Sequence, residues 1–242
     1  MVVSVQSDTQ FVGSERAIAI YQAHGDPLDS QRILSREEKK RQTRQSLVDA
    51  ALTLVGQGEN FTGISIREVA KNAGVVPTSF YRHFTDMEEL GLDIVDDLGM
   101  MLRRKLRAVR QTDGYSGELT RSSVQLFTDF VCHHRNHFYF MYQCRAGGTV
   151  RLRAAIRNEL SFFANELASD IRQLHMLGKV DSADLQMVSQ LIVAAVFEST
   201  TDLLDQVDSS PTFRQEFVDL TVKKLRLIWL GAECWRSRRP AD

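Results

Sequence analysis

The chain has little that could staple or interrupt it. Its three cysteines, Cys132, Cys144 and Cys234, are odd in number, far apart and set in apolar or helical sequence. That excludes a disulfide framework and a CxxC zinc pattern, and suits a reducing compartment. Only four prolines occur, and none lies between Pro77 and Pro211, an interval that suits long helices. No run approaches the roughly 18 consecutive apolar residues of a membrane span. The first residues lack the basic segment and apolar core of a secretory signal, so a soluble, cytoplasmic protein is expected. Strand-like alternation is nearly absent, as are repeats and low-complexity runs. There is no nucleophile elbow, Walker loop, dinucleotide fingerprint or metalloprotease motif. Acidic neighbours such as Asp96 and Asp97 point in different directions on a helix. The expectation is a protein that is not an enzyme and needs no cofactor.

What is present is helical periodicity in a chain of 242 residues whose 43% apolar content supplies a real core. Residues 1–34 show no sustained period and contain the turn-rich HGDPLDS, so a flexible arm is expected there, with AIAIY as a short helix or strand. The first strong helix is predicted over about 36–57, with Leu47, Ala50, Ala51, Leu54 and Val55 on one face. Ser65 and Glu68 form a capping box that starts a second, short helix ending at Gly74. Pro77 takes the first position of a third, where a missing amide proton costs nothing. Asp86 with Glu89 opens a long helix through about residue 110.

Farther on, Leu152, Ile156, Leu160, Phe163, Leu167, Ile171 and Leu174 step by three or four and mark one helix. The pattern over about 183–207 is apolar nearly all round in QLIVAAVF, which predicts burial on several sides. The last helix follows Ser210-Pro211 and carries two stripes, Phe213/Phe217/Leu220/Leu227 and Val218/Val222/Leu225/Trp229. One can face its own core, and the other needs a partner. The predicted fold class is all-α.

The formal charge of −1 hides an asymmetry: residues 36–85 hold eight basic and five acidic side chains, a surplus of +3 that leaves −4 for the rest. A basic block of this size fits either a nucleic-acid footprint or a solvated surface. Within it, AGVVPTSFYRHFTDMEEL has the dimensions of a helix-turn-helix, two short helices joined through Gly74. Val69, Val75, Phe80 and Phe84 then pack inward, leaving Thr78, Ser79, Tyr81, Arg82 and His83 facing out. Short hydroxyl side chains let the helix end approach base edges and phosphates, while Tyr, Arg and His supply longer donors. A capped surface helix with two core phenylalanines has the same spacing.

The stretch ISIREVAKNAGVVPTSFYRHFTDMEEL resembles the DNA-binding signature of TetR-family transcriptional repressors, specifically over about residues 38–92. After the arm expected over 1–34, the resemblance implies a helix-turn-helix DNA-binding domain over 35–85 and a helical ligand-binding and dimerisation domain over 86–242. It implies major-groove contacts from Arg67, Ser79, Tyr81 and Arg82, and phosphate contacts from Thr43, Thr78 and His83. Many members carry Ser-Lys after the recognition helix. Here Asp86-Met87 stands there, so a usual phosphate contact is missing and Lys39, Lys40, Arg41 and Arg44 are the candidates to compensate. PTSFYRHF, ELGL and CRAGGTVRLRAAIRNEL look most like the FabR/DesT branch, regulators of unsaturated fatty-acid synthesis. That implies a homodimer on a palindromic operator with a long-chain acyl-CoA or acyl thioester as effector.

Three features have a chemical and a plain reading. CHHRNH offers Cys132, His133, His134 and His137, either an i, i+4 zinc pair or, as favoured here, a polar helix connection with no metal. The aromatics Phe127, Phe130, Phe138, Tyr139, Phe140 and Tyr142 are either ordinary core or the lining of an acyl tunnel. Arg103, Arg104, Lys105 and Arg107 are either a solvated helix end or partners for a thioester's phosphates, with Arg103, Arg104 and Arg107 the ligand candidates. A helical ligand carrier or scaffold without operator binding is the alternative function.

Overall fold

The computed structural model describes residues 35–112, 119–174, 177–178, 180–206 and 210–237. The arm expected over 1–34, with AIAIY, lies outside the described residues. The chain divides into two compact units, 1–41 and 42–242. The described residues of the first open α1 (Arg36–Gly56). Ser35 and Glu38 cap one another there, Ser35 N donating to Glu38 Oε2 at 2.7 Å and Glu38 N to Ser35 Oγ at 3.2 Å. Lys39, Lys40 and Arg41 belong to this unit.

The second unit holds the remainder of α1, a 3-10 turn (Phe61–Gly63), α2 (Ile66–Asn72), α3 (Pro77–Phe80), α4 (Met87–Thr112), α5 (Leu119–His133), α6 (Arg135–Gly147), α7 (Val150–Gln173), α8 (Ser182–Asp205) and α9 (Pro211–Cys234). The described residues contain no strand, and the protein is all-α. Helix starts are fixed by side chains that take orphan amide protons. Thr149 Oγ1 accepts from Leu152 N, Asp181 Oδ1 from Asp184 N and Ser210 Oγ from Phe213 N, at 3.2, 2.9 and 3.1 Å. Asp86 Oδ1 accepts from Glu89 N at 2.8 Å, while the Glu89 carboxylate reaches past Asp86 to the Thr85 amide and hydroxyl, both at 2.6 Å.

Two apolar clusters hold the helices. The larger runs from Leu47 and Ala51 on α1 through Phe61, Phe80, Leu90 and Ile94 to Phe140 on α6 and Ile156 on α7. The smaller joins α7, α8 and α9 through Ile171, Leu185, Val188, Val218 and Leu225. Where the loop after α1 meets α6, Phe61 and Phe140 pack edge to face with centroids 4.7 Å apart. Beside them Gln143 bridges the loop backbone, its Oε1 accepting from Phe61 N and its Nε2 donating to Glu59 O, each at 3.1 Å.

The last two helices depart from the sequence expectation. In α8, Val188, Ile192 and Phe197 are buried, but Leu191 is 52% exposed and Met187 is also exposed. Composition and length would let α8 cross a membrane, yet 44% of its apolar window is buried inside the fold. In α9 the stripe of Val218 and Leu225 faces the smaller cluster, as a helix with a core face should. The other stripe splits. Phe213 and Phe217 are taken up by the larger cluster, whereas Leu220 and Leu227 remain exposed, as does Leu230 beyond the stripe.

The capping box at Ser65 supplies a stability test. Ser65→Ala removes the acceptor for the Glu68 amide, and urea unfolding should show a loss of about 1 kcal/mol with an unchanged denaturant slope.

Candidate nucleic-acid interface and cavity

The helix-turn-helix is set by three local devices. Ser65 Oγ accepts from Glu68 N at 3.3 Å and Ser65 N donates to Glu68 Oε2 at 2.8 Å. The Ser65 hydroxyl also donates to Glu68 Oε2 at 2.7 Å, and this bond, followed by the one from Ser65 N, holds the Glu68 carboxyl below its ordinary pKa. At the other end of α2, Gly74 adopts φ +69°, a left-handed conformation that glycine enters without strain, and Val75 N donates back to Ala70 O at 2.9 Å. Val76 then precedes Pro77 at the first position of α3. α3 is a single turn, and the chain continues in turns stitched by His83 N to Phe80 O and Phe84 N to Phe80 O, at 2.9 and 3.0 Å.

Val69, Ala70, Phe80 and Phe84 are buried beneath this surface. Phe80 packs against Phe84 with centroids 5.6 Å apart. Above them Arg67, Thr78, Tyr81 and Arg82 are exposed, while Ser79 and His83 are half-buried, as is Thr43 on α1. The structure thus brings Thr78, Tyr81 and Arg82 onto one exposed segment. Val76, left unassigned by sequence reasoning, is 63% exposed beside Tyr81 at 61%. Its exposure is not written in the sequence; on such a surface an apolar side chain suits contact with thymine methyl groups. Arg44 is otherwise engaged: its guanidinium pairs with Asp93 and lies 5.1 Å from the Phe84 ring centroid. It ties α1 to α4 and is not presented as the compensating phosphate contact.

A cavity of about 430 Å³ is lined by α4 to α9, with Leu98, Leu102, Phe127, Phe138, Phe163 and Trp229 in its wall. The predicted ligand residues divide. Phe127 and Phe138 line this cavity. Phe130 instead borders a second cavity of about 580 Å³ with Lys105, Gln125, Asp129, His133 and His134. Tyr142 lines neither. It stacks on Phe197 at 4.9 Å, donates to Phe197 O and accepts from Thr200 Oγ1 at 2.8 Å. Burial pushes its phenol pKa up.

Of the basic candidates, Arg103 pairs with Glu159 and Arg107 with Glu166, while Arg104 is exposed. Glu159 is buried in the cavity wall; burial pushes its carboxyl pKa up and Arg103 opposes the shift. Sequence reasoning missed Glu159 and the cavity role of Trp229. The CHHRNH segment is the corner between α5 and α6: His133 ends one helix and His134 caps the next, so His133 and His137 do not share a helix face. Burial, then His134, lowers His137 to about 4.

Two family models match the chain. Residues 47–94 match "Bacterial regulatory proteins, tetR family" and residues 116–230 match "Tetracyclin repressor-like, C-terminal domain". Solved structures share the fold. A TetR-family transcriptional regulator from Syntrophomonas wolfei is 14% identical with a TM-score of 0.65, over 79% of this chain and 96% of its own. The transcriptional regulator FadR of Bacillus subtilis, solved in complex with stearoyl-CoA, is 18% identical with a TM-score of 0.62, over 77% of this chain and 98% of its own. The fatty acid degradation regulator FadR of Bacillus halodurans is 16% identical with a TM-score of 0.59, over 76% and 96%. At these identities the likeness is one of fold. The two family matches together take in the helix-turn-helix and most of the bundle behind it: the chain belongs to the TetR family, and is a DNA-binding transcriptional regulator rather than an enzyme.

Proposed function

We propose that the protein is a homodimeric repressor that reads a palindromic operator and responds to a long-chain acyl thioester, controlling genes of fatty-acid and unsaturated-lipid synthesis in the manner of the FabR/DesT branch. The observation that carries the effector reading is the apolar cavity lined by α4 to α9. Its volume falls within the range of about 300–1,000 Å³ of small-molecule sites. Its apolar wall suits an alkyl chain, and the Bacillus subtilis neighbour was solved with a stearoyl thioester. Arg104, exposed on α4, is the basic residue assigned to a thioester's phosphates, because Arg103 and Arg107 face glutamates. On the operator side, Arg67, Ser79, Tyr81 and Arg82 read bases, and Thr43, Thr78 and His83 meet phosphates. The exposed Leu191 on α8 and Leu220, Leu227 and Leu230 on α9 support a two-fold contact that covers both copies of an apolar face.

Three measurements test this reading. Arg82→Ala should leave the circular dichroism spectrum unchanged and weaken operator binding by about 1–3 kcal/mol; unchanged affinity removes Arg82 from base reading. Leu227→Glu places a charge on a residue that is 66% exposed in the single chain. Sedimentation should show a folded monomer, and an intact dimer would put the interface elsewhere. Palmitoyl and oleoyl thioesters at matched concentration and fixed salt should shift operator affinity, and by different amounts, since a ligand acts only through its differential affinity for two states. Superimposable curves with and without either thioester would remove the lipid effector and leave the regulator.

A further inference from the structure

A charged group interrupts the apolar wall of the cavity lined by α4 to α9. Glu159 on α7 is only 6% exposed and lines that cavity. Its Oε1 accepts from the Arg103 guanidinium on α4, which in turn lies 5.9 Å from the ring centroids of Phe162 and Phe163. Among the described residues no donor reaches Oε2. Yet Oε2 is not among the buried polar atoms left without a partner. On a side chain more than nine-tenths buried, this oxygen thus keeps a small accessible surface, and the residue that carries it lines the cavity.

The seat of the carboxylate is built for it. Gly99 on α4 lies against Glu159, and a Cβ at that position would overlap Oε1 and Cδ. A glycine inside a helix weakens it relative to alanine, so the close approach of the carboxylate is the use to which this one is put. The pair is also a poor way to stabilise a wall. Two desolvated charges commonly do no better than well-packed apolar residues of similar size. The remaining charges point the same way: Asp170 and Glu233 also line the cavity, and no lysine, arginine or histidine stands among its described lining residues. Its charged lining atoms are acceptors.

We propose that Glu159, seated on Gly99 and held by Arg103, is a recognition subsite for a hydrogen-bond-donating group, a hydroxyl or an ammonium, carried on an otherwise apolar chain. The proposal rests on the reading of this cavity as the effector site and narrows the ligand within it. A donor on the ligand satisfies Oε2 without displacing Arg103. A ligand carboxylate brings acceptor against acceptor and is refused.

Calorimetric titration of the full-length protein with decanol, decylamine and decanoate tests it, with a palmitoyl thioester as control for the cavity. Decanol and decylamine should bind about tenfold or more tightly than decanoate, the scale of one hydrogen bond to a charged group. Glu159→Gln should cost decylamine about tenfold and narrow its lead over decanoate. Gly99→Ala, which displaces the carboxylate while keeping its charge, should cost both donors. Should neither variant fold, the ranking in the unaltered protein decides. Decanoate binding as well as decylamine, or a folded Glu159→Gln with unchanged decylamine affinity, overturns the subsite. If the palmitoyl thioester binds while the three short chains show no preference, only the subsite falls. If nothing binds, the effector reading of the cavity falls with it.

Discussion

One stiff helix has to satisfy two packing tasks. At its N-terminal end α4 buries Leu90 and Ile94 in the apolar cluster that holds α1, the loop after it and Phe80 beneath the DNA-reading segment. Farther along, Leu98, Leu102 and Leu106 form part of the cavity wall. Helix geometry fixes the relation between these two sets of side chains, and close packing leaves little slack for either to move alone. Arg44 adds a lateral tie, pairing with Asp93 on the same helix while covering Phe84. The position of the reading surface is therefore a property of how α4 sits in the bundle.

α6 repeats the arrangement from another side. Phe138 and Met141 face the cavity. Phe140 packs on Phe61, and Gln143 holds the backbone of the loop after α1 at Glu59 and Phe61. Under the proposed reading, a ligand that fits one seating of α4 and α6 better than another biases the helix-turn-helix by that difference in affinity and by no more. What the cavity contributes is a wall shared with two helices that pack into the cluster beneath the reading surface.

The parts legible in the sequence are those set within a few residues. The Ser65–Glu68 box, the positive φ of Gly74 and Pro77 at a helix start are local, and they mark the helix-turn-helix. Long helices follow from stepped apolar residues with no intervening proline. What was hidden depends on contacts across the chain. Arg44 reads as one more basic residue until Asp93, 49 positions on, claims it. The second stripe of α9 has the right spacing along its length, but its two phenylalanines are drawn into the larger cluster and its later leucines are not, a difference set by neighbouring helices. Tyr142 sits in an aromatic run, yet its hydroxyl is spent on α8.

Glu159 shows the same limit most clearly. In RNELSFF it is an ordinary helical glutamate, and Gly99 in DLGMM is a weak point in a helix. Neither periodicity nor composition joins them, because the seat forms only when α4 and α7 pack with the glycine under the carboxylate and Arg103, 56 positions away, closes over it. Once assembled, the three residues constrain one another. A side chain at Gly99 removes the seat, loss of Arg103 leaves the buried carboxylate unpaired, the costly half of breaking such a pair, and loss of the carboxylate leaves a half-buried guanidinium without its partner. An apolar wall would need none of these dependencies. Their presence where α4 meets the cavity places an exacting electrostatic requirement on the helix that also positions the reading surface.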